Sequence, residues 1–384
     1  MFSSDEDADL GAGDDEDRGP GGEEFDDLGF ALPPQGDAVG ESARAYAQRF
    51  EPKAMRRRLR FEARLQKLPS PTNWAAMPKS ALKGLLRKGL PSEHRREVWW
   101  SVLGCDARRQ RSPEAYACYV QGTLRTRTTE EIERDLQRTF PNHRRFRTEN
   151  GRGELRNVLR AFASHSPRVQ YCQGLNFIAA LLLVIFHDEE RAFWAMVCAV
   201  ESLGVEGYYT EGMALLRADM CVLTSVLEQK CPKVAHVFKE EGVDLTAICS
   251  EWYITWFARC LPGSTILRVW DTLFFEGFKV LFRIALGIFK RAESEVLQNA
   301  RFDAIMEKAK TWPRRMVEHN ELLKISFNGV KTFRRRDLLQ ARDKAFCRID
   351  AEDEVRRARE RETRERQRRA AALSPAATAE ALAA

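Results

Sequence analysis

The chain has 384 residues, 44% of them apolar and 31% charged, so one large or two modest domains with a buried core are within reach. Lys and Arg number 62 against 56 Asp and Glu, and the small net charge of +6 hides strong local asymmetry. Nine scattered cysteines without a C-x-x-C pair argue against a disulfide framework or a zinc site and fit a reduced, cytoplasmic protein.

The first 42 residues are acidic, Gly-rich and poor in large apolar side chains, which predicts a disordered segment. No charged-then-apolar signal pattern stands there, since acids follow Met1 almost at once. Asp5, Asp7, Asp9 and Glu16 mimic the ligand spacing of a calcium loop, but Leu10 occupies the position where the turn needs Gly. Calcium is therefore not expected. From Ala43 to Leu68 the chain turns basic, with Met55, Leu59, a drifting position at 61 or 62, Leu65 and Leu68 suggesting an irregular amphipathic helix. Its Arg56–Lys67 stretch could touch an anionic membrane, serve as an import patch or fold back on the acidic start; a solvated lead-in helix is the plainer reading. Pro69-Ser70-Pro71 marks its end.

From Trp74 onward helical spacing repeats: Val98, Trp99 and Val102 after Pro91, then Leu155, Val158, Leu159 and Phe162, then Phe193, Met196, Val197 and Val200. Strand-like alternation is scarce, so an all-α fold is predicted. Leu175–Phe186 is the longest apolar run, with Asn176 inside it; about 20 residues would be needed to cross a bilayer, so it reads as a core helix. Aromatic stretches around Trp252–Phe257 and Phe274–Phe289 read as core, with no basic interleaving for nucleic acid. Arg268 and Asp271 read as a brace for that core. After about Arg335 the sequence becomes Arg/Glu/Ala-rich through Arg369 and predicts a solvated helix, then an Ala-rich disordered end. These shifts divide the chain into an acidic segment, 1–42, a basic lead-in and linker, 43–72, a helical domain, 73–335, and a charged tail, 336–384.

Two short motifs stand apart. In the first, Thr128 and Glu131 have capping-box spacing, so a helix should start there with Ile132, Leu136 and Phe140 on its apolar face. Asp135 and Arg138 are neighbours on that helix, and a carboxylate can hold a guanidinium in one orientation. Pro141 ends the helix and leaves Arg138 in its last turn. In the second, Tyr171 and Gln173 precede Gly174, which can open the apolar helix. An amide there can orient a water by donating and accepting hydrogen bonds.

Ile132-x-x-Asp135-x-x-Arg138 followed by Tyr171-x-Gln173 resembles the paired finger motifs of the TBC-domain family, whose members accelerate GTP hydrolysis by Rab GTPases. Arg87-Lys88-Gly89-Leu90-Pro91 with Arg95, Val98 and Trp99 is similar to the family's opening signature. Ser250-x-Trp252, Leu261-Pro262, Leu267–Asp271 and Phe275-Glu276-Gly277 are similar to its later block, so the resemblance spans residues 84–300. It implies an all-helical fold in two lobes, Arg138 as an arginine finger and Gln173 as a glutamine finger. Asp135 would orient Arg138, Ile132 and Tyr171 would seat the motifs, and Gly174 would support the second. It also implies a GTP-bound Rab as partner, a role in vesicle traffic, and a cytoplasmic location, peripheral on endomembranes. No metal or cofactor of the chain's own is implied, because Mg²⁺ and GTP arrive with the partner. A silent module that docks a Rab without speeding hydrolysis is the alternative.

Other chemistries lack their residues. There is no P-loop, no G-x-S-x-G, no H-E-x-x-H, and Gly151-Arg152-Gly153 lacks the third Gly of a dinucleotide site. The six histidines show no ligand spacing, and nothing in the sequence demands a Cys172–His165 nucleophile pair.

Overall fold

The computed structural model describes residues 25–26, 28–32, 41, 44–45, 56, 58–67, 74–330 and 333–372. The calcium-like pattern, Pro69–Pro71 and the Ala-rich end lie outside them. The helices are α1 (Lys79–Lys88), α2 (Ser92–Leu103), α3 (Cys105–Gln110), α4 (Ala115–Gln121), α5 (Thr126–Leu136), α6 (Glu149–His165), α7 (Leu175–Phe186) and α8 (Glu189–Leu203). They continue with α9 (Ala214–Lys230), α10 (Pro232–Glu240), α11 (Leu245–Ile254), α12 (Gly263–Glu276), α13 (Lys279–Gln298), α14 (Phe302–Ala309), α15 (His319–Lys324) and α16 (Arg335–Ala372). The fold is all-α, with only isolated bridges of extended backbone among the described residues.

The helices pack in two lobes. In the first, α4, α5, α7 and α8 all pack against α6, and the residues of α7 are all buried except Ile185. A helix that is apolar all round can only be a core helix, and none of the described helices is long and apolar enough to cross a membrane. Helix α8 starts on Asp188, whose carboxylate accepts from the Arg191 amide at 2.6 Å, with Glu189 and Glu190 favourably placed at the positive end of the helix dipole. The second lobe is built on α9 and α13, with α10, α11, α15 and α16 around them.

The opening helices close back on the second lobe through one carboxylate. Asp271 on α12 accepts from Arg95 Nε at 3.0 Å, from Trp99 Nε1 at 3.0 Å and from the Leu90 amide at 3.3 Å, and it also faces Arg268. Arg268 donates onward to the carbonyls of Leu86 and Arg87, and Arg87 forms a two-pronged pair with Glu276 at 2.6 and 2.8 Å. The brace read at Arg268 and Asp271 is thus the point where chain segments far apart in sequence join.

Four local readings change. Helix α5 begins at Thr126, not at a capping box, and Thr128 turns its hydroxyl to Gln170 Oε1 at 3.0 Å. A buried tertiary partner outcompetes the local cap. In the basic lead-in, the helix over 58–65 buries Phe61 and Leu65 and exposes Leu59. Phe61 packs near Trp74 and His94, so of the expected apolar positions 61 and 65 face the core while Leu59 does not. The tail is not solvated throughout: Leu338, Arg342 and Ile349 are buried against the second lobe, and α16 turns outward only beyond Asp353. Arg342 grips Asp219 through Nε and Nη2, both at 2.8 Å, lies 4.2 Å from the Phe278 ring centre, and shares Asp219 with the Tyr208 hydroxyl. Finally, residues 25–26 and 28–32, inside the stretch expected to be disordered, lie docked against the loop after α5.

Candidate functional site

The two motifs meet at Asp135. Its carboxylate is buried at the end of α5, where Ile132 and Leu136 anchor the helix in the core. One oxygen accepts from the Tyr171 hydroxyl at 2.6 Å, and the other faces the guanidinium of Arg138 in an ion pair. Burial, and then the Asp135 carboxylate, push the Tyr171 phenol well above its ordinary pKa, so it stays a donor. The first motif therefore holds the second by a charge-assisted hydrogen bond.

Arg138 stands two residues past the end of α5, in the turn and not in the helix's last turn. Its side chain keeps 53% of its surface exposed while Asp135 keeps 3%. The carboxylate is thus fixed by the protein and the guanidinium is presented to solvent. Behind it, the Thr139 hydroxyl donates to the Asp135 carbonyl at 2.6 Å and accepts from Asn176 Nδ2 at 2.7 Å.

Asn176 explains the polar residue inside the apolar run. Fully buried, it ties Thr139 to the start of α7 and accepts from the Gly174 amide at 2.9 Å. Gly174 sits at φ +114°, and a Cβ there would stand 3.2 Å from the Ile254 carbonyl and Cγ2, so both backbone and space call for glycine. Gln173, immediately before it, is exposed, two residues from the Tyr171 that Asp135 grips. At no more than about 3.6 Å per residue, the Gln173 backbone stays within about 7 Å of Tyr171, which is tied through Asp135 to Arg138.

Sequence reasoning named Ile132, Asp135, Arg138, Tyr171, Gln173 and Gly174, and the geometry brings them together. It missed Thr139, the Thr128–Gln170 link and the work of Asn176; a lone Asn in an apolar helix was the available signal. Cys172 lies half-buried, with burial and then the Glu131 and Asp135 carboxylates raising its thiol to about 11, so it is no thiolate at neutral pH. His165 sits among Tyr119, Phe193 and Trp194, its pKa lowered mainly by burial. Among the described residues no cluster of His, Cys, Asp or Glu could hold a metal.

The fold is thus helical and two-lobed, with a carboxylate-held arginine and a glutamine exposed on its surface. Residues 92–297 match the Rab-GTPase-TBC domain, and the chain belongs to that family. TBC1 domain family member 2A of Mus musculus is 36% identical over 341 residues, 86% of this chain and 36% of that protein, so the chain spans about a third of that relative's length. Growth hormone-regulated TBC protein 1 of Xenopus laevis is 36% identical over 292 residues, 74% of this chain and 82% of that protein. Among solved structures, the Chlamydomonas flagellar RabGAP TBC domain superposes with a TM-score of 0.64 at 28% identity, covering 79% of this chain and 99% of that one. The YPT/RAB-GAP domain of GYP1P shares the fold at a TM-score of 0.55 and 17% identity, covering 76% of this chain and 99% of that one.

Proposed function

We propose that this chain accelerates GTP hydrolysis by a GTP-bound Rab GTPase, supplying Arg138 and Gln173 in trans. The observation that carries the reading is the Arg138–Asp135–Tyr171 link, which leaves the guanidinium exposed but oriented beside Gln173. A small GTPase hydrolyses GTP slowly because charge building on the β–γ bridge and γ-phosphoryl oxygens is poorly matched. An arginine delivered in trans neutralises that charge and is worth roughly 10³–10⁵ in rate. Gln173 would hold the attacking water in line with the γ-phosphorus, donating and accepting at once. Asp135 orients the finger; Ile132, Tyr171 and Gly174 support it. Mg²⁺ and GTP come with the partner, so the chain needs no cofactor of its own. The activity would serve vesicle traffic from the cytoplasmic face of endomembranes. The exposed basic side chains Arg56, Arg58, Arg60, Arg64 and Lys67 offer an anionic surface a weak contact.

The test is single-turnover GTP hydrolysis across a panel of purified Rab proteins with wild type, Arg138→Ala, Arg138→Lys and Gln173→Ala. Stimulation that all three substitutions abolish or greatly weaken, with Rab binding retained, is the expected result. Full activity in Arg138→Lys would remove the finger assignment, because an ammonium lacks the planar fork. GTP-dependent binding without stimulation would make the chain a silent docking module.

A further inference from the structure

A turn from the acidic N-terminal stretch lies against the loop that carries Arg138. Asp26 Oδ1 accepts from the amides of Leu28 at 3.0 Å and Phe30 at 2.9 Å, and the Asp26 amide donates to the Phe30 carbonyl at 2.9 Å. Gly29 holds φ +87°, so the turn closes on itself without strain. Its outer edge then pairs with the finger loop. The Ala31 amide donates to the Asn142 carbonyl at 2.9 Å, and the Arg144 amide donates to the Gly29 carbonyl at 2.9 Å. His143 accepts the Arg145 amide on Nδ1 at 3.1 Å, which leaves Nε2–H to donate to the Leu28 carbonyl at 2.7 Å. The Phe30 ring meets Phe140 edge-on at 5.1 Å.

Phe140 is the telling residue. It follows Arg138 by two positions and holds φ +44°, a left-handed conformation that a bulky side chain adopts only when its surroundings impose it. Phe177 of α7 packs on it from within at 5.2 Å, and Phe30 packs on it from the other segment. Leu28 reaches further, to the start of α12, where a Cβ on Gly263 would lie 2.9 Å from its Cδ1. The turn therefore ties the finger loop to the second lobe. With the turn docked, Arg138 keeps 53% of its side-chain surface and Gln173 is exposed, so the segment does not cover the fingers.

We infer that residues 25–26 and 28–31 form a positioning strap that fixes the backbone of the Arg138 loop and thereby sets the rate of the stimulated reaction, through Phe30 on Phe140 and the Ala31–Asn142 and Gly29–Arg144 hydrogen bonds. This rests on the finger reading above. Asp135 holds the guanidinium and the strap holds the chain that bears it. The strap acts through Arg138 and touches no reacting atom.

The experiment compares full-length wild type with Phe30→Ala, Ala31→Pro (which removes the amide given to Asn142) and the ring-retaining Phe30→Tyr. Single-turnover hydrolysis on a responsive Rab gives the maximal rate and the half-saturating concentration separately, and amide hydrogen exchange reads residues 137–146. In Phe30→Ala and Ala31→Pro the maximal rate should fall about tenfold, because small misplacements of a catalytic group are costly. The half-saturating concentration should move by less than about twofold, since ground-state binding is untouched. Exchange should quicken at 139–144 but not in α7, and Phe30→Tyr should resemble wild type. Unchanged rate and exchange, or equal losses in rate and binding, would overturn the strap as a positioning element. Faster hydrolysis in Phe30→Ala would overturn it too, in favour of a cover. A wild-type chain that stimulates no Rab, at equal activity with Arg138→Ala, refutes the finger reading; the exchange comparison then decides separately whether the strap orders the loop.

Discussion

Replacing Asp135 by Asn tests whether the buried carboxylate or the mere presence of Arg138 sets activity. The carboxylate accepts the Tyr171 hydroxyl on one oxygen and the Arg138 guanidinium on the other, and it is almost wholly buried. An Asn of the same shape offers one acceptor and one donor end, so one of the two donors loses its partner. Hydrogen bonds to a charged group contribute about 1.5–3 kcal/mol and neutral ones about 1 kcal/mol, so stability should fall by about 2–3 kcal/mol. Arg138 would regain rotamer freedom worth up to about 2 kcal/mol, which is about 30-fold in rate if the finger must be re-ordered in each transition state. Loss of the guanidinium in Arg138→Ala should cost about 10³-fold or more. Urea unfolding gives the first quantity, and saturating single-turnover hydrolysis on a responsive Rab gives the second. An Asp135→Asn chain within about threefold of the wild-type rate would refute orientation by Asp135.

Asp271→Ala should destabilise the fold by about 3–5 kcal/mol in urea unfolding, because Arg95 and Arg268 would be left buried without their carboxylate. Arg342→Met should cost a similar amount, since Asp219 and Tyr208 then lose the buried guanidinium that pairs with them, while a tail helix that merely floats would show no change. Stability should also depend on His143, whose folded pKa burial lowers to about 4 from an ordinary 6.5. The neutral ring is favoured in the fold, so its contribution is complete above pH 6.5 and is lost as pH falls toward 4. That amounts to about 2 kcal/mol by pH 5, and His143→Gln should flatten this part of the unfolding-versus-pH curve.

Much of the fold was legible because the signals are local. An apolar run without a polar face has to become a core helix, and α7 did. Amphipathic spacing marked α6 and α8, and the structure adds Thr148 and Asp188 as their caps. Where reading failed, a distant partner decided the outcome. Thr128 and Glu131 have the letters of a cap, but Gln170 takes the hydroxyl and Arg127 takes the carboxylate. The tail looked too polar to dock, yet Leu338, Arg342, Ala345 and Ile349 are spaced by four, three and four residues along one face. Arg342 hid that seam, because a guanidinium counts as polar until a buried Asp219 is known to wait for it. The strap was invisible for the same reason: Phe25, Leu28 and Phe30 are too few to read as structure until the loop they cover is in view.

The division of labour at the site explains why so long a signature surrounds so small a chemical group. Each side chain proposed to meet the nucleotide is exposed, and the residues that orient it are buried or half-buried: Asp135 behind Arg138 and Asn176 behind Gly174 are buried, and Phe140 behind the finger loop is half-buried. A guanidinium free in solvent would have to lose its rotamer freedom while charge develops on the phosphate, whereas here the buried carboxylate has restricted it beforehand. That restriction is only as rigid as the ties among α5, α7 and α12, which are made by residues more than thirty positions apart, such as Tyr171 with Asp135. The fold is thus part of the mechanism proposed, because the buried ties are what hold the exposed guanidinium in one place.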